Sequence, residues 1–341
     1  MESQKKRFED IRVLYVDDEQ DNLTSFELHL EDEFNIATFN DPRKALKVAL
    51  EDPSVGVLIV DQVMPHMTGL DLAVKVKKIK PYMTCIMITG NATKQLAIES
   101  VRNRVFYEFL EKPVNFSSNE IKQIVIAGLS ETILHKTKSE FRFGTLELLA
   151  TLIDDKDGHT HRHSQRVTEW AMKIASKFNF DERELMLIKE GAMIHDIGKI
   201  SIPDDILKKP GRLTSLERKI IMTHPSRGGD IIDKIPQLKE LSTMARDHHE
   251  RPDGQGYPRG LKGEEIPLMT QIVALADFFE ALSSKRPYKD PWEIRDIVRE
   301  INTVKGSQFR DDVVNALFVV LQEEKLISHD EIEAVTNEQA A

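Results

Sequence analysis

Cysteine, tryptophan and long apolar runs are all scarce in this 341-residue chain. It holds one cysteine and two tryptophans. A lone Cys85 permits no internal disulfide, which excludes a stapled secreted scaffold and points to a reducing cytoplasm. No stretch approaches the ~20 apolar residues of a membrane span, and the polar start Met1–Asp10 carries no signal-peptide core, so no membrane insertion is expected. A basic surplus is missing too. The 47 Lys and Arg stand against 57 Asp and Glu, a net charge of −10, which argues against a DNA-binding protein. A small anionic substrate stays open, because bound cations can invert a local field. A hydrophobic content of 40% is enough for real cores, and the length suits two or three domains.

In the first third, five short apolar runs (Val13–Val16, Ile36–Phe39, Val57–Val60, Cys85–Ile88 and Phe106–Leu110) alternate with helix-like segments near 21–31, 42–51, 69–79 and 93–102. Such alternation implies right-handed crossovers and an α/β, doubly wound, five-stranded parallel sheet of the flavodoxin-like kind. Ligands bind such sheets at the carboxyl ends of the strands. There the sequence puts Asp17 and Asp18, Asp61, Thr89 and Lys112, each after its own strand. Three converging carboxylates need a cation, and oxygen ligands suit Mg²⁺. A lysine and a hydroxyl can then hold phosphoryl oxygens on a carboxylate nucleophile.

This set resembles the response-regulator receiver domain. Asp61-Gln62-Val63-Met64-Pro65-His66-Met67-Thr68-Gly69 matches its phosphoacceptor strand and loop, and Glu111-Lys112-Pro113 its lysine-proline turn. The resemblance implies that Asp61 accepts a phosphoryl group from a cognate sensor histidine kinase. It also implies that Asp17 and Asp18 hold Mg²⁺, and that Thr89 and Phe109, with Lys112, form the switch. The receiver is expected over residues 10–130, and a connecting helix over 117–152. Ser117-Ser118-Asn119-Glu120 can cap that helix, and Ile121, Ile124, Val125, Leu129 and Ile133 form its apolar stripe. The stripe packs either against its copy in a homodimer or within one chain.

Residues 140–325 are expected to form an all-α domain. An apolar stripe from Leu185 leads to His195-Asp196-Ile197-Gly198-Lys199, in which helical spacing lets His195, Asp196 and Lys199 share a groove. His159 and His163 are four apart at the start of an expected helix, Thr160 to Phe178. Asp277 interrupts an apolar run, where an unpaired buried carboxylate would cost several kcal/mol. His224 precedes a proline. His248 and His249 are adjacent, and Pro252 and Gly254 make a helix end there, which lets both reach one cluster.

The doublet His195-Asp196 and the stretch His248-His249-Glu250-Arg251-Pro252-Asp253-Gly254-Gln255-Gly256-Tyr257-Pro258 resemble the HD-GYP phosphodiesterases, within the HD superfamily of metal-dependent phosphohydrolases. By that resemblance, Asp196 is catalytic and bridges two metals. His163, His195 and Asp277 complete one ion, and His224, His248 and His249 the other. His159 stands where some members carry a Glu that supports a third ion, so two or three ions remain open. Lys199 is a second catalytic residue and binds substrate with Arg286, Lys289 and Tyr257, and the loop of Tyr257 is also linked to protein partners. Phe309-Arg310-Asp311 departs from the family's Phe-Asp-Pro.

Mixed nitrogen and oxygen ligands without cysteine favour Fe or Mn over a structural zinc. A cation pair suits phosphodiester hydrolysis because it activates water and neutralises the leaving oxygen. The implied function is that of a bacterial, cytoplasmic response regulator hydrolysing cyclic di-GMP to linear pGpG and/or GMP under receiver phosphorylation. The alternatives are another cyclic or linear dinucleotide as substrate, or a non-catalytic module that binds a cyclic dinucleotide or a protein.

Overall fold

A computed structural model describes residues 8–90, 105–158, 162–285 and 290–337. The chain divides into two compact units, Met1–Phe141 and Arg142–Ala341.

The first unit alternates β1 (Arg12–Val16), α1 (Gln20–Leu30), β2 (Asn35–Phe39), α2 (Pro42–Glu51), β3 (Val55–Asp61), α3 (Gly69–Ile79), β4 (Thr84–Thr89) and β5 (Glu108–Glu111). All four strand pairings are parallel, in the order β2-β1-β3-β4-β5. The central strands β3 and β4 are buried at every position, which is why they read as unbroken apolar runs rather than alternating ones. Local chemistry sets the helix starts. The Asp41 carboxylate accepts from Arg43 N ahead of α2, and Thr68 and Asp71 form a reciprocal capping box on α3.

β5 begins at Glu108 instead of Phe106. Tyr107 N already bonds Cys85 O, but the regular ladder starts one residue later. The expected helix at 93–102 lies outside the described residues.

The expected connecting helix is α4 (Asn119–Asp157), 39 residues long. Its opening stretch belongs to the first unit. Ile121, Val125 and Leu129 are buried with Val13, Tyr15, Val57 and Ile86 on one face of the sheet. The Thr132 hydroxyl bonds Gly56 O at 2.8 Å and Thr84 Oγ1 at 2.9 Å. Those three stripe positions are therefore consumed by the sheet and are not available to a second copy.

The second unit is helical. It comprises α5 (His163–Ala175), α6 (Glu182–Ile194), a 3-10 turn (Ile197–Ser201), α7 (Asp204–Leu207), α8 (Ser215–Ile221), α9 (His224–Asp233), a 3-10 turn (Pro236–Leu241), α10 (Ser242–Asp247) and a 3-10 turn (Gly263–Glu265). It ends with α11 (Leu268–Ser283), α12 (Ile294–Val304), α13 (Asp311–Glu323) and α14 (His329–Asn337). Val167, Ala171 and Ile174 of α5 meet Ile188 and Ala192 of α6, Ile272 and Phe279 of α11, and Leu317 of α13 in one core. α5 begins at His163, later than Thr160, and residues 159–161 are not described. At the departure from the family pattern, Phe309 is buried while Arg310 pairs with Glu264 and Asp312, so the change is absorbed by packing and surface ion pairs. Among the described residues no helix is long and apolar enough to cross a membrane.

Candidate metal centre and phosphoacceptor site

Five separate segments bring the expected metal ligands together. Helix α6 ends at Ile194, and the chain tightens into the 3-10 turn that holds His195 and Asp196 at its mouth. The turn lies hard against the start of α9. A Cβ on Gly198 would sit 1.9 Å from the His224 carbonyl oxygen, so only glycine lets His224 approach. α10 ends at Asp247 with His248 as its cap residue, and His249 follows, as the broken helix requires. α5 supplies His163 from its first turn, and α11 supplies Asp277.

Asp196 stands between two groups. Its Oδ2 lies 3.4 Å from His195 Nε2 and 3.9 Å from His163 Nε2. Asp277 Oδ1 lies 3.4 Å from that His163 nitrogen. On the other side, Asp196 Oδ1 lies 3.2 Å from His224 Nε2 and 3.7 Å from His248 Nε2. His163, His195 and Asp277 form one compact donor group, and His224, His248 and His249 another. Asp277 keeps 20% of its side chain open, so it faces a cleft and is less enclosed than its apolar run suggests.

The protonation pattern fits cations. Carbonyl oxygens only accept, so His195 Nδ1–H donates to Ala192 O at 2.7 Å, His224 Nδ1–H to Ile221 O at 2.7 Å and His248 Nδ1–H to Ala245 O at 3.0 Å. With Nδ1 committed in this way, Nε2 is the ring nitrogen left to face inward and to offer a lone pair to a cation. His224 Nε2 and His248 Nε2 face each other at 3.3 Å, and buried His195 Nε2 has no hydrogen-bond partner. Two opposed lone pairs and an orphaned buried nitrogen are unfavourable alone and are relieved by a cation. Burial, with His224 close by, lowers His249 to about 4, and burial with His249 lowers His248 well below the usual imidazole range. Both rings are neutral at pH 7. Burial would also lower His195, but without a cation the Asp196 and Asp277 carboxylates outweigh it and push it up to about 9, so a bound cation would take the place of the Nε2 proton. Burial works against ionised Asp196 as well, but Lys199 and His195 hold it well below the carboxylate range.

Two carboxylates outside the expected set hold this centre. Glu280 is buried, accepts from His163 Nδ1 at 2.6 Å and pairs with Arg166 at 2.6 Å. Burial would raise Glu280, yet the His163 hydrogen bond dominates the opposing interactions and brings it to about 2. Asp157 accepts from Lys199 Nζ at 2.6 Å, while the same Nζ lies 2.7 Å from Asp196 Oδ2. The sequence held one signal for Glu280. It lies three residues after Asp277 in the same apolar helix and so shares its face. Asp157 offered none, because its partner is 42 residues away. Glu280→Gln is expected to weaken metal affinity ~10–100-fold, the usual effect of losing a ligand's outer partner, as read by chelator competition. Unchanged affinity would leave Glu280 a purely structural partner.

The loop after His249 is pinned from beneath. Buried Glu250 accepts from the backbone N of Arg259, Gly260 and Leu261 at 2.5, 3.2 and 2.9 Å, and buried Asp247 pairs with the Arg259 guanidinium. The Tyr257 ring stacks on His249 at an interplanar angle of 29°, with centroids 4.8 Å apart. His159, Arg286 and Lys289 lie outside the described residues.

In the first unit, Asp17, Asp18 and Asp61 converge at the carboxyl edge of the sheet. Lys112 Nζ lies 2.9 Å from Asp61 Oδ1 and 3.4 Å from Asp17 Oδ2. Burial, with the Asp17 carboxylate close by, raises Asp61 against the opposing pull of Lys112. Thr89 is buried at the end of β4, and half-buried Phe109 lies on β5, its ring 5.4 Å from that of Phe106. Sequence reasoning missed Tyr15, whose hydroxyl donates to Asp17 Oδ2 at 2.7 Å.

Comparisons with known proteins agree with both units. Residues 13–126 match the response regulator receiver domain and residues 147–313 match the HD domain. Over 318 residues the chain is 34% identical to a cyclic di-GMP phosphodiesterase of Thermotoga maritima, a match spanning 85% of this chain and 84% of that one. Over 335 residues it is 32% identical to the cyclic di-GMP phosphodiesterase response regulator RpfG of Xanthomonas campestris, spanning 90% and 87%. A 3'3'-cGAMP-specific phosphodiesterase of Vibrio cholerae is 37% identical over 171 residues, spanning 50% and 33%. The first two similarities run through both units and most of each relative, and the chain belongs to the family of response regulators that join a receiver domain to an HD-GYP phosphodiesterase domain.

Proposed function

We propose that the second unit hydrolyses cyclic di-GMP, and that phosphorylation of Asp61 sets its rate. The observation that carries the reading is the pair of donor groups sharing Asp196, with buried imidazole Nε2 atoms turned inward. His163, His195 and Asp277 would hold one Fe or Mn ion, His224, His248 and His249 a second, and Asp196 both. Bound there, the cations supply a water nucleophile at neutral pH and charge neutralisation at the leaving oxygen.

The chain's own groups do the rest. Lys199, itself held by Asp157, presents a fixed positive charge beside Asp196 Oδ2. Burial would lower the Lys199 ammonium, but Asp196 and Asp157 outweigh it and keep it protonated, suited to a phosphate oxygen. Tyr257 walls the site at His249. Arg286 and Lys289 would bind phosphate or guanine groups. The products would be linear pGpG and/or GMP, made in the cytoplasm. The test is anaerobic turnover by Fe- or Mn-loaded protein, with products separated by chromatography. Product from cyclic di-GMP is expected. Its absence, with 3'3'-cGAMP cut instead, would move the substrate to the mixed dinucleotide of the Vibrio relatives.

In the first unit, Asp61 would take the phosphoryl group from a histidine kinase beside Mg²⁺ held by Asp17 and Asp18, with Lys112 and Thr89 on its oxygens. An acyl-phosphate donor is expected to change wild-type turnover by about fivefold or more, the lower end of ordinary coupling free energies, and to leave Asp61→Asn unchanged. Equal turnover of the wild type with and without donor would sink the coupling.

A further inference from the structure

A cavity of about 450 Å³ opens beside the second donor group, lined by Arg212, Leu213, Arg218, Ile221, Met222 and Tyr257. Its size falls in the ~300–1,000 Å³ range of small-molecule sites. It adjoins the candidate metal centre through two walls. Tyr257 both lines the cavity and stacks on His249, and the carbonyl of Ile221 accepts the Nδ1–H of His224. α8 carries Arg218 and Ile221 three residues apart, so a cation and an apolar wall share one helix face.

The cavity's two guanidiniums differ in charge pairing from most described arginines of this unit. Arg142, Arg166, Arg246, Arg251, Arg259 and Arg310 of the same unit each pair with a carboxylate. The Arg212 and Arg218 guanidiniums have no ion-pair or hydrogen-bond partner among the described residues. In a chain of net charge −10, two unneutralised guanidiniums around an apolar, tyrosine-edged cavity favour an anion that also carries a flat aromatic group. A guanidinium meets phosphate with two parallel N–H donors, and it meets guanine O6 and N7 in the same way.

We propose that this cavity takes the second nucleotide of the substrate, the one whose phosphodiester is not being cut. Arg212 and Arg218 grip its phosphate and guanine edge, and Tyr257, Ile221 and Met222 pack its base. The assignment rests on the reading of the second unit as a cyclic dinucleotide hydrolase. It makes Arg212 and Arg218 specificity-determining residues, acting on the substrate away from the scissile bond.

The test compares cyclic di-GMP with bis(para-nitrophenyl) phosphate, a diester that reaches the metal centre but lacks a second nucleotide. In metal-loaded protein carrying both Arg212→Ala and Arg218→Ala, the ratio of kcat/KM for cyclic di-GMP to that for the small diester is expected to fall about tenfold or more, mostly through KM. The Kd of a slowly cut phosphorothioate analogue of cyclic di-GMP, titrated calorimetrically, should rise by a similar factor. Both side chains are exposed, so their truncation should leave the melting temperature in place. An unchanged ratio and Kd would overturn the subsite and leave the hydrolase reading standing. A wild type that splits only the small diester would overturn the hydrolase reading, and the subsite with it.

Discussion

Asp196→Ala protein is expected to retain neither donor group's cation and to lose at least about 10⁴-fold in turnover, equivalent to ~5.5 kcal/mol of transition-state stabilisation. Asp196 is the residue whose two oxygens face the two donor groups separately, at 3.4 Å from His195 Nε2 and 3.2 Å from His224 Nε2. Without it each group keeps two or three imidazoles and the pair shares nothing. Lys199 also loses the carboxylate 2.7 Å from its ammonium and is left to Asp157 alone, on a side chain only 14% exposed. Removing one partner of a buried ion pair costs roughly 3–5 kcal/mol where no other group compensates, and Asp157 softens that here. Metal analysis of purified protein, with turnover on the same samples, checks both effects. Full activity from metal-replete Asp196→Ala protein would exclude the bridging role.

Gly198→Ala carries the second large effect, and it is one of backbone space. The added Cβ would lie 1.9 Å from the His224 carbonyl oxygen and 2.5 Å from Gly228 N, both backbone atoms that no rotamer change can clear. Either the 3-10 turn or α9 must retreat. The first carries Lys199 and follows His195 and Asp196, and the second starts at His224. A destabilisation of about 3 kcal/mol or more is expected from such overpacking, with a loss of metal affinity, because the two donor groups are pushed apart. Gly144→Ala is the control. It lies within α4 with nothing inside 4 Å of its would-be Cβ, and it should stabilise by roughly 0.5–1 kcal/mol. Urea unfolding of both variants beside the wild type reads the difference. A Gly198→Ala protein as stable as the wild type would show that the turn can shift freely.

The elements were legible wherever local pattern carried them. β3 and β4 announced themselves as apolar runs because both faces of a parallel strand are covered. α2 and α3 began at the expected residues because Asp41 and Thr68 cap them. The ambiguous case was the stripe on α4. Ile121, Val125 and Leu129 read equally as a dimer seam or an internal face, since periodicity reports that a face is covered and is silent on what covers it. The site divides in the same way. Histidines and aspartates are visible as residue types, whereas Asp157 looks like any helical surface aspartate until Lys199 is folded against it.

The sequence by itself determined the two units, the parallel sheet with Asp61 at its carboxyl edge, and the identity of the six histidines and aspartates assembled around Asp196. Strand alternation, helix caps and ligand chemistry are written in neighbouring residues. Only the tertiary structure decided which Asp196 oxygen faces which imidazole, that Glu280 and Asp157 hold His163 and Lys199, and that Arg212 and Arg218 open onto a cavity beside His249. Those relations join residues as far as 117 positions apart, and they are fixed by close helix packing and by the room left at Gly198. No local pattern along the chain encodes such distances.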